Sequence, residues 1–170
     1  KSQTLEELKK TVEALGEKPF RAKQLYEWMH VKLAESYEEM TNLPKTFREK
    51  LRGSCTLTTL TALEVQTSQI DGTQKYLFAL HDGNVVESVL MRYKHGNSVC
   101  ISSQVGCKMG CRFCASTIGG WNRNLTPAEM LEQIYRIQKN SGERVSNVVV
   151  MGTGEPLDNY DTLLRFIHMI

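Results

Sequence analysis

An α+β accessory region followed by an α/β region is the fold class predicted by this 170-residue sequence. Three observations carry that prediction. Apolar residues recur at helical spacing through residues 1–53, two Asp-Gly turns separate strand-like runs in residues 54–95, and a strand–loop–helix order occurs twice in residues 96–170. An apolar content of 41% is enough to bury a core, in one domain or two small ones.

Thr4, with Glu7 three residues on, has the pattern of a capping box, and Leu5, Leu8, Val12 and Leu15 follow at helical spacing until Gly16. Pro19 suits the first position of a second helix, whose broad apolar face would hold Phe20, Leu25, Trp28, Met29 and Leu33. Leu43-Pro44 interrupts, and residues 45–51 predict a third helix closed by Gly53, so that 1–53 reads as a helical accessory domain. Residues 55–69 are rich in Thr and Val and favour strand. The turns Asp71-Gly72 and Asp82-Gly83 then set off strand candidates at 75–80 and 85–91, which predicts an antiparallel hairpin region over 54–95.

A short strand at 98–102 opens the last region. Thr126, Pro127 and Glu129 give a second capping box, with Met130, Leu131, Ile134 and Ile137 as the buried stripe of a helix ending near Gly142. Residues 147–151 form a continuous apolar run of the kind buried on both faces. Gly152-Thr153-Gly154 and a helix from about Asp158 complete a parallel βα pattern.

No apolar run approaches the roughly 20 residues needed to span a bilayer, so no membrane partner is expected. The first residues show no secretory pattern, and a cytoplasmic location is the expectation. The apolar pattern still runs at Ile170 without a stop signal, and the chain lacks an initiator Met, which points to a truncated chain. The net charge of +2 says little, but residues 87–126 hold 5 basic and 1 acidic residues. Arg92, Lys94, Lys108, Arg112 and Arg123 carry that excess, which would suit a polyanionic partner or be ordinary solvated surface.

Cys107, Cys111 and Cys114 stand in the spacing C-x3-C-x2-C, in a loop between a strand and a helix. In a chain without a secretion signal, such crowding indicates metal ligation or redox chemistry rather than a disulfide framework. Thiolates are soft ligands for zinc or iron–sulfur clusters, and three of them on a cubane leave one iron free. A zinc site would need a fourth ligand, for which Cys100, His81 or His95 are the candidates.

The spacing, with Phe113 before the last Cys, resembles the signature of the radical S-adenosylmethionine (SAM) superfamily. The runs Cys100-Ile101-Ser102-Ser103-Gln104-Val105-Gly106-Cys107, Phe113-Cys114-Ala115-Ser116-Thr117, Asn122-Arg123-Asn124-Leu125 and Phe20-Arg21-Ala22-Lys23-Gln24-Leu25 narrow it further. They are similar to the dual-specificity methyltransferases of adenine carbon 2 in 23S ribosomal RNA and transfer RNA. The resemblance implies the start of a partial (βα)6 barrel, truncated here, with an RNA-binding helical domain before it. It implies a [4Fe-4S] cluster on Cys107, Cys111 and Cys114, and S-adenosyl-L-methionine at Gly154, Glu155 and Phe113.

In such enzymes the cofactor yields an adenosyl radical, and a methyl group passes through a methyl-cysteine to an adenosine of the peptidyl transferase centre or one next to the anticodon. Glu87 then resembles the proton acceptor, and Cys100 the cysteine that resolves the protein–RNA intermediate through a transient disulfide. On the residues alone, Glu87 is equally a solvent-facing strand position and Cys100 a small core residue. The implied partners are 23S rRNA, tRNA and an electron donor such as flavodoxin or ferredoxin. No cysteine follows Cys114, so the methyl-carrying cysteine is absent and the chain alone would be inactive. The alternatives are the related methylase of adenine carbon 8 and a non-catalytic RNA-binding fragment.

Overall fold

Helix formation begins where side chains satisfy the first free amides. In the computed structural model, which describes residues 1–170, the Glu7 carboxylate accepts from the Thr4 N–H at 2.9 Å and Thr4 Oγ1 accepts from the Glu7 N–H at 3.4 Å. This box opens α1 (Leu5–Ala14); α2 (Phe20–His30) and α3 (Lys45–Ser54) follow. Together they make the first of two units, Lys1–Thr58. Its core joins Leu8 and Val12 of α1 to Ala22, Leu25 and Met29 of α2 and to Phe47 and Leu51 of α3.

The broad apolar face expected on α2 is narrower in fact. Phe20 is 54% exposed, and the helix ends at His30, before Leu33. The Lys32 N–H donates back to the Glu27 carbonyl at 2.9 Å, and Leu33 takes φ 55°. Beyond the left-handed Leu33 the Ala34 N–H donates to the Trp28 carbonyl at 2.9 Å, and this reversal delivers Ala34, Tyr37, Met40 and Leu43 to the core in place of Leu33. His30, at the end of α2, has its pKa lowered to about 4, chiefly by burial.

The second unit, Thr59–Ile170, is built on a five-stranded mixed sheet. The strands β1 (Thr61–Thr67), β2 (Gln74–Ala79), β3 (Val85–Tyr93) and β4 (Gly96–Cys100) form an antiparallel meander. A short ribbon of β5 (Gln104–Gly106) and β6 (Trp121–Asn124) comes next, then α4 (Pro127–Ser141), then β7 (Val145–Val149), which pairs parallel with β4. A 3-10 turn at Pro156–Asn159 leads into α5 (Tyr160–Met169). No helix is long and apolar enough to cross a membrane.

One sheet face carries the buried Tyr76, Phe78, Val86, Ser88, Leu90 and Val99. Helix α4 lies on this side, because Ser88 Oγ donates to Gln133 Oε1 at 2.7 Å across a fully buried contact. The Thr126–Glu129 capping box and the left-handed Gly142 bound α4 as the sequence predicts.

Three expectations are corrected. Residues 55–60 are not strand, so β1 starts only at Thr61. The last strand begins and ends two residues earlier than the apolar run suggests, and it is not buried on both faces: Ser146, Asn147 and Val149 are exposed. The reason is position, since β7 stands at the end of the strand order with a partner on one side only. The β5–β6 ribbon was not legible, its strands being only three and four residues long.

Candidate active site

Three segments of the second unit meet around the ends of β4 and β7: the cysteine loop, the Gly152–Pro156 turn and the face of β3 and β4 that carries Glu87 and Cys100. The loop hangs from the β5–β6 ribbon. Its neck closes where the Cys107 N–H donates to the Gly120 carbonyl at 3.1 Å, and Gly106 holds φ 71° there. A Cβ at Gly106 would run into that same carbonyl, so only glycine lets the two strands cross this closely. Inside the loop, the Cys114 N–H donates to the Cys111 carbonyl at 3.0 Å and Thr117 Oγ1 donates to the Cys114 carbonyl at 2.8 Å.

Cys107 is buried, Cys114 half-buried and Cys111 exposed, while Phe113 is 94% exposed. All five cysteines are free thiols, so the disulfide expected for Cys100 has no counterpart in the structure. The loop brings the three thiols into one short segment but does not gather them around a single ion, and no other set of His, Cys, Asp or Glu does so. Of the candidates for a fourth zinc ligand, His81 stands 3.6 Å from Glu129 and His95 stacks on Tyr93, while Cys100 is a half-buried free thiol on β4 and forms no metal-holding group with the loop. The donor chemistry, three soft thiols in one Gly-bearing loop without a fourth, fits a cubane with one unligated iron better than a closed zinc tetrahedron.

The Gly152–Pro156 turn packs against the base of this loop. The Gly152 N–H donates to the Ile101 carbonyl at 3.0 Å, and a Cβ at Gly152 would stand 2.8 Å from the backbone of Ile101 and Ser102. The Ser103 and Gln104 N–H groups both donate to the Thr153 carbonyl, at 3.0 and 3.2 Å. The Thr153 N–H donates to Ser102 Oγ at 3.0 Å, and the Glu155 N–H to Gln104 Oε1 at 2.9 Å. Glu155 itself uses one carboxylate oxygen to accept from the Leu157 N–H. Gly154 sits at φ 106°. The hydroxyl of Ser103 is buried with no protein partner, an acceptor and donor left over at the floor of the site.

Glu87 and Cys100 lie on the sheet face opposite α4. Val89 pairs with Cys100 across β3 and β4, so Glu87, two residues before Val89, shares that face on the diagonal. Such diagonal neighbours are about 7–8 Å apart, with their Cβ atoms somewhat closer. Burial pushes the Cys100 thiol pKa up, with the Met151 backbone N–H acting against it. Glu87 is exposed and pairs with Lys75 Nζ at 3.2 Å. Its backbone carbonyl accepts from Ser102 Oγ at 2.7 Å, so that one buried hydroxyl links β3 to the Gly152–Pro156 turn.

Ser102, Gln104 and Gln133 were missed by the sequence reading. No local signal marked them: that the polar run Ser102-Ser103-Gln104, between Ile101 and Val105, is almost fully buried shows only in the fold. The basic excess of residues 87–126 needs correction as well. Arg92 pairs with Glu143 at 2.7 Å, Arg123 with Asp82 at 2.6 Å and Glu129 at 2.8 Å, and Lys108 with Asp158 at 2.9 Å. Carboxylates from other segments neutralise these three, and only Lys94 and Arg112 of the five make no ion pair.

Residues 2–57 match the family described as ribosomal RNA large subunit methyltransferase N-terminal domain, and residues 101–170 match the radical SAM superfamily. A probable dual-specificity RNA methyltransferase RlmN of Lachnoclostridium phytofermentans is 64% identical over 170 residues, covering 100% of this chain and 48% of that protein. The protein of the same description from Bacillus subtilis is 53% identical, over 98% of this chain and 46% of its own length. The crystal structure of a radical SAM methyltransferase from Sphaerobacter thermophilus superposes with a TM-score of 0.91 at 41% identity, over 99% of this chain and 50% of that one. The chain thus spans about half the length of the curated relatives it matches.

Proposed function

Because the chain belongs to the dual-specificity RNA methyltransferase family, whose amino-terminal half it spans, we propose that it serves a radical SAM enzyme methylating carbon 2 of adenosine in 23S rRNA and tRNA. One observation carries the reading: an acid, Glu87, and a thiol, Cys100, share one sheet face, and Ser102 and Gln104 tie that sheet and the entry strand of the three-cysteine loop to the Gly152–Pro156 turn. In this reading Cys107, Cys111 and Cys114 hold a [4Fe-4S] cluster, and Gly154, Glu155 and Phe113 receive S-adenosylmethionine. When bound, these groups supply the one-electron chemistry that an electron-poor aromatic carbon requires, with electrons from a donor such as flavodoxin or ferredoxin.

The chain's own residues bind, orient and move protons. The Glu155 carboxylate has an oxygen to spare for an ammonium once its Leu157 contact is counted. Glu87 takes the proton from the substrate carbon, after its pair with Lys75 opens. That opening is easy, since exposed ion pairs are worth only about 0–1 kcal/mol. Cys100, whose burial favours the neutral thiol at rest, would act as a thiolate on the sulfur that carries the base: an S–S bond forms, the S–C bond breaks, and the electron pair left on the methylene carbon is protonated to the methyl group. The helices of residues 1–53 would dock the RNA.

The test is nucleoside mass spectrometry of 23S rRNA and tRNA from a host lacking this modification and supplied with a polypeptide of its relatives' full length that contains this chain, since no cysteine here follows Cys114. Appearance of 2-methyladenosine in both RNAs is expected. Methylation at carbon 8 alone would replace the carbon 2 reading, and RNA binding without iron or methylation would replace the enzyme reading.

A further inference from the structure

One buried side chain holds the cysteine loop and the Gly152–Pro156 turn in a fixed relation. Gln104 is 0% exposed, and its amide is fully engaged. Its Oε1 accepts from the Glu155 N–H at 2.9 Å, and its Nε2 donates to Asn124 Oδ1 at 2.8 Å and to Asp158 Oδ2 at 2.9 Å. These three partners belong to three different places: the turn itself, the strand by which the loop leaves, and the 3-10 turn that follows Glu155. Gln104 lies in β5, the strand by which the chain enters the loop, three residues before Cys107.

The contact is also steric. Gly154 presses its backbone onto Gln104, since a Cβ there would stand 2.6 Å from Gln104 Cβ and 2.8 Å from its backbone nitrogen. Asp158 in turn pairs with Lys108 at 2.9 Å, the residue next to Cys107, and Lys108 lies 5.5 Å from the Trp121 ring centroid. The network therefore starts in the loop, passes through Gln104 and ends on the backbone of Gly154 and Glu155.

We propose that Gln104 is a positioning residue whose side-chain amide sets where the Gly154-Glu155 backbone stands relative to Cys107, and thereby seats the amino-acid end of the cofactor. This rests on the reading under Proposed function. A glutamine is required because the task needs one acceptor and two donors in a single plane, and the site is too buried for water to replace any of them. Leucine matches the volume and supplies neither. Glutamate would place an acceptor against Asp158 and Asn124, unless the partners are exchanged as well.

The experiment compares the cluster-loaded wild type with Gln104→Leu and with the double variant Gln104→Glu/Asp158→Asn. In the double variant donor and acceptor trade places, and Asn124 needs only to turn its amide over. Iron and sulfide per chain report the loop. The dissociation constant for S-adenosylmethionine, from the change it causes in the electron paramagnetic resonance of the reduced cluster, reports the turn. Gln104→Leu is expected to keep wild-type iron and to bind the cofactor about 10- to 100-fold more weakly, the range seen when supporting partners of a metal site are removed. The double variant is expected to return to within about threefold of wild type.

Unchanged affinity in Gln104→Leu overturns the proposal, as does a double variant that loads iron and still binds weakly. If Gln104→Leu fails to load iron, the double variant decides in the same way. A residue that served the fold alone would lower iron content and thermal midpoint while leaving affinity unchanged in the chains that load. A wild type that takes up no iron, or whose cluster does not respond to the cofactor, removes the reading beneath the proposal instead.

Discussion

The two faces of the five-stranded sheet do different work. Toward α4 the sheet presents Tyr76, Phe78, Val86, Leu90 and Val99, all nearly inaccessible, together with Ser88 bonded to Gln133. The other face presents Lys75, Leu77, Glu87, Val89, Cys100 and Val149, which range from half-buried to exposed. Stability is concentrated on the first face and reactive groups on the second. The β-strand's alternation makes this possible, because neighbours in sequence point to opposite sides. Cys100 can stand exposed to chemistry while Val99 and Ile101 on either side of it are 0% exposed.

That division is broken most severely at Phe78. Phe78→Ala removes a fully buried ring and is expected to cost about 3–5 kcal/mol of the second unit's stability in urea unfolding. Next comes Gln133→Leu, which strips partners from Ser88 Oγ and from the Ser102 N–H and carbonyl. Three buried groups left unpaired predict a loss of about 1–3 kcal/mol or more, together with weaker activity, because Ser102 also supports the turn at Thr153. On the open face the order of effects reverses. Glu87→Gln and Cys100→Ser are expected to shift unfolding by about 0.5 kcal/mol or less, as surface changes do. Methylation should still fall about 100-fold or more for Glu87→Gln, the usual contribution of a positioned base. A comparable loss of stability in Glu87→Gln would mean the faces are not so divided.

Three pH experiments sharpen the contrast. Burial works to raise the Glu129 pKa, but hydrogen bonds from Arg123 and the Thr126 N–H outweigh it and hold the carboxyl below its ordinary range; Arg123 lowers Asp82 likewise. Both carboxylates are ionised more readily in the folded chain, so their stabilisation is present above the ordinary carboxylate pKa and is lost as pH falls through their lower folded values. Arg123→Gln should therefore flatten the acid limb of the second unit's stability curve. In the first unit His30, lowered to about 4, favours the neutral ring in the fold. Its contribution is complete above about 6.5, the ordinary value, and declines as pH falls toward 4, a trend that His30→Gln should remove from thermal unfolding. The smallest effect expected is at Cys100, whose raised thiol pKa predicts alkylation that still accelerates with pH above the usual thiol range, read by peptide mass spectrometry.

Much of this arrangement was legible where local signals and tertiary structure agree. Both capping boxes, the Asp-Gly hairpins and the C-x3-C-x2-C loop are written in spacings of a few residues. The exposure of β7 was not legible, because an apolar run does not reveal whether it stands inside a sheet or at its end. Nor was the neutralisation of Arg92 and Arg123, whose partners Glu143, Asp82 and Glu129 come from other segments. The role of Gln104 escaped for the same reason: one polar residue in a short strand gives no sign that Asn124, Glu155 and Asp158 will converge on it.

The crossing of Gly106 and Gly120 makes the cysteine segment a hoop whose neck is closed whatever the length of chain beyond it. Residues added after Cys114, outside the cysteine spacing, would raise the entropic cost of closure slowly, by about 0.6 kcal/mol per doubling of length. A single methyl group at Gly106, by contrast, forces the hoop apart. Tolerance to change should therefore be high near Gly119, outside the C-x3-C-x2-C spacing, where a Cβ meets open space, and absent at the crossing.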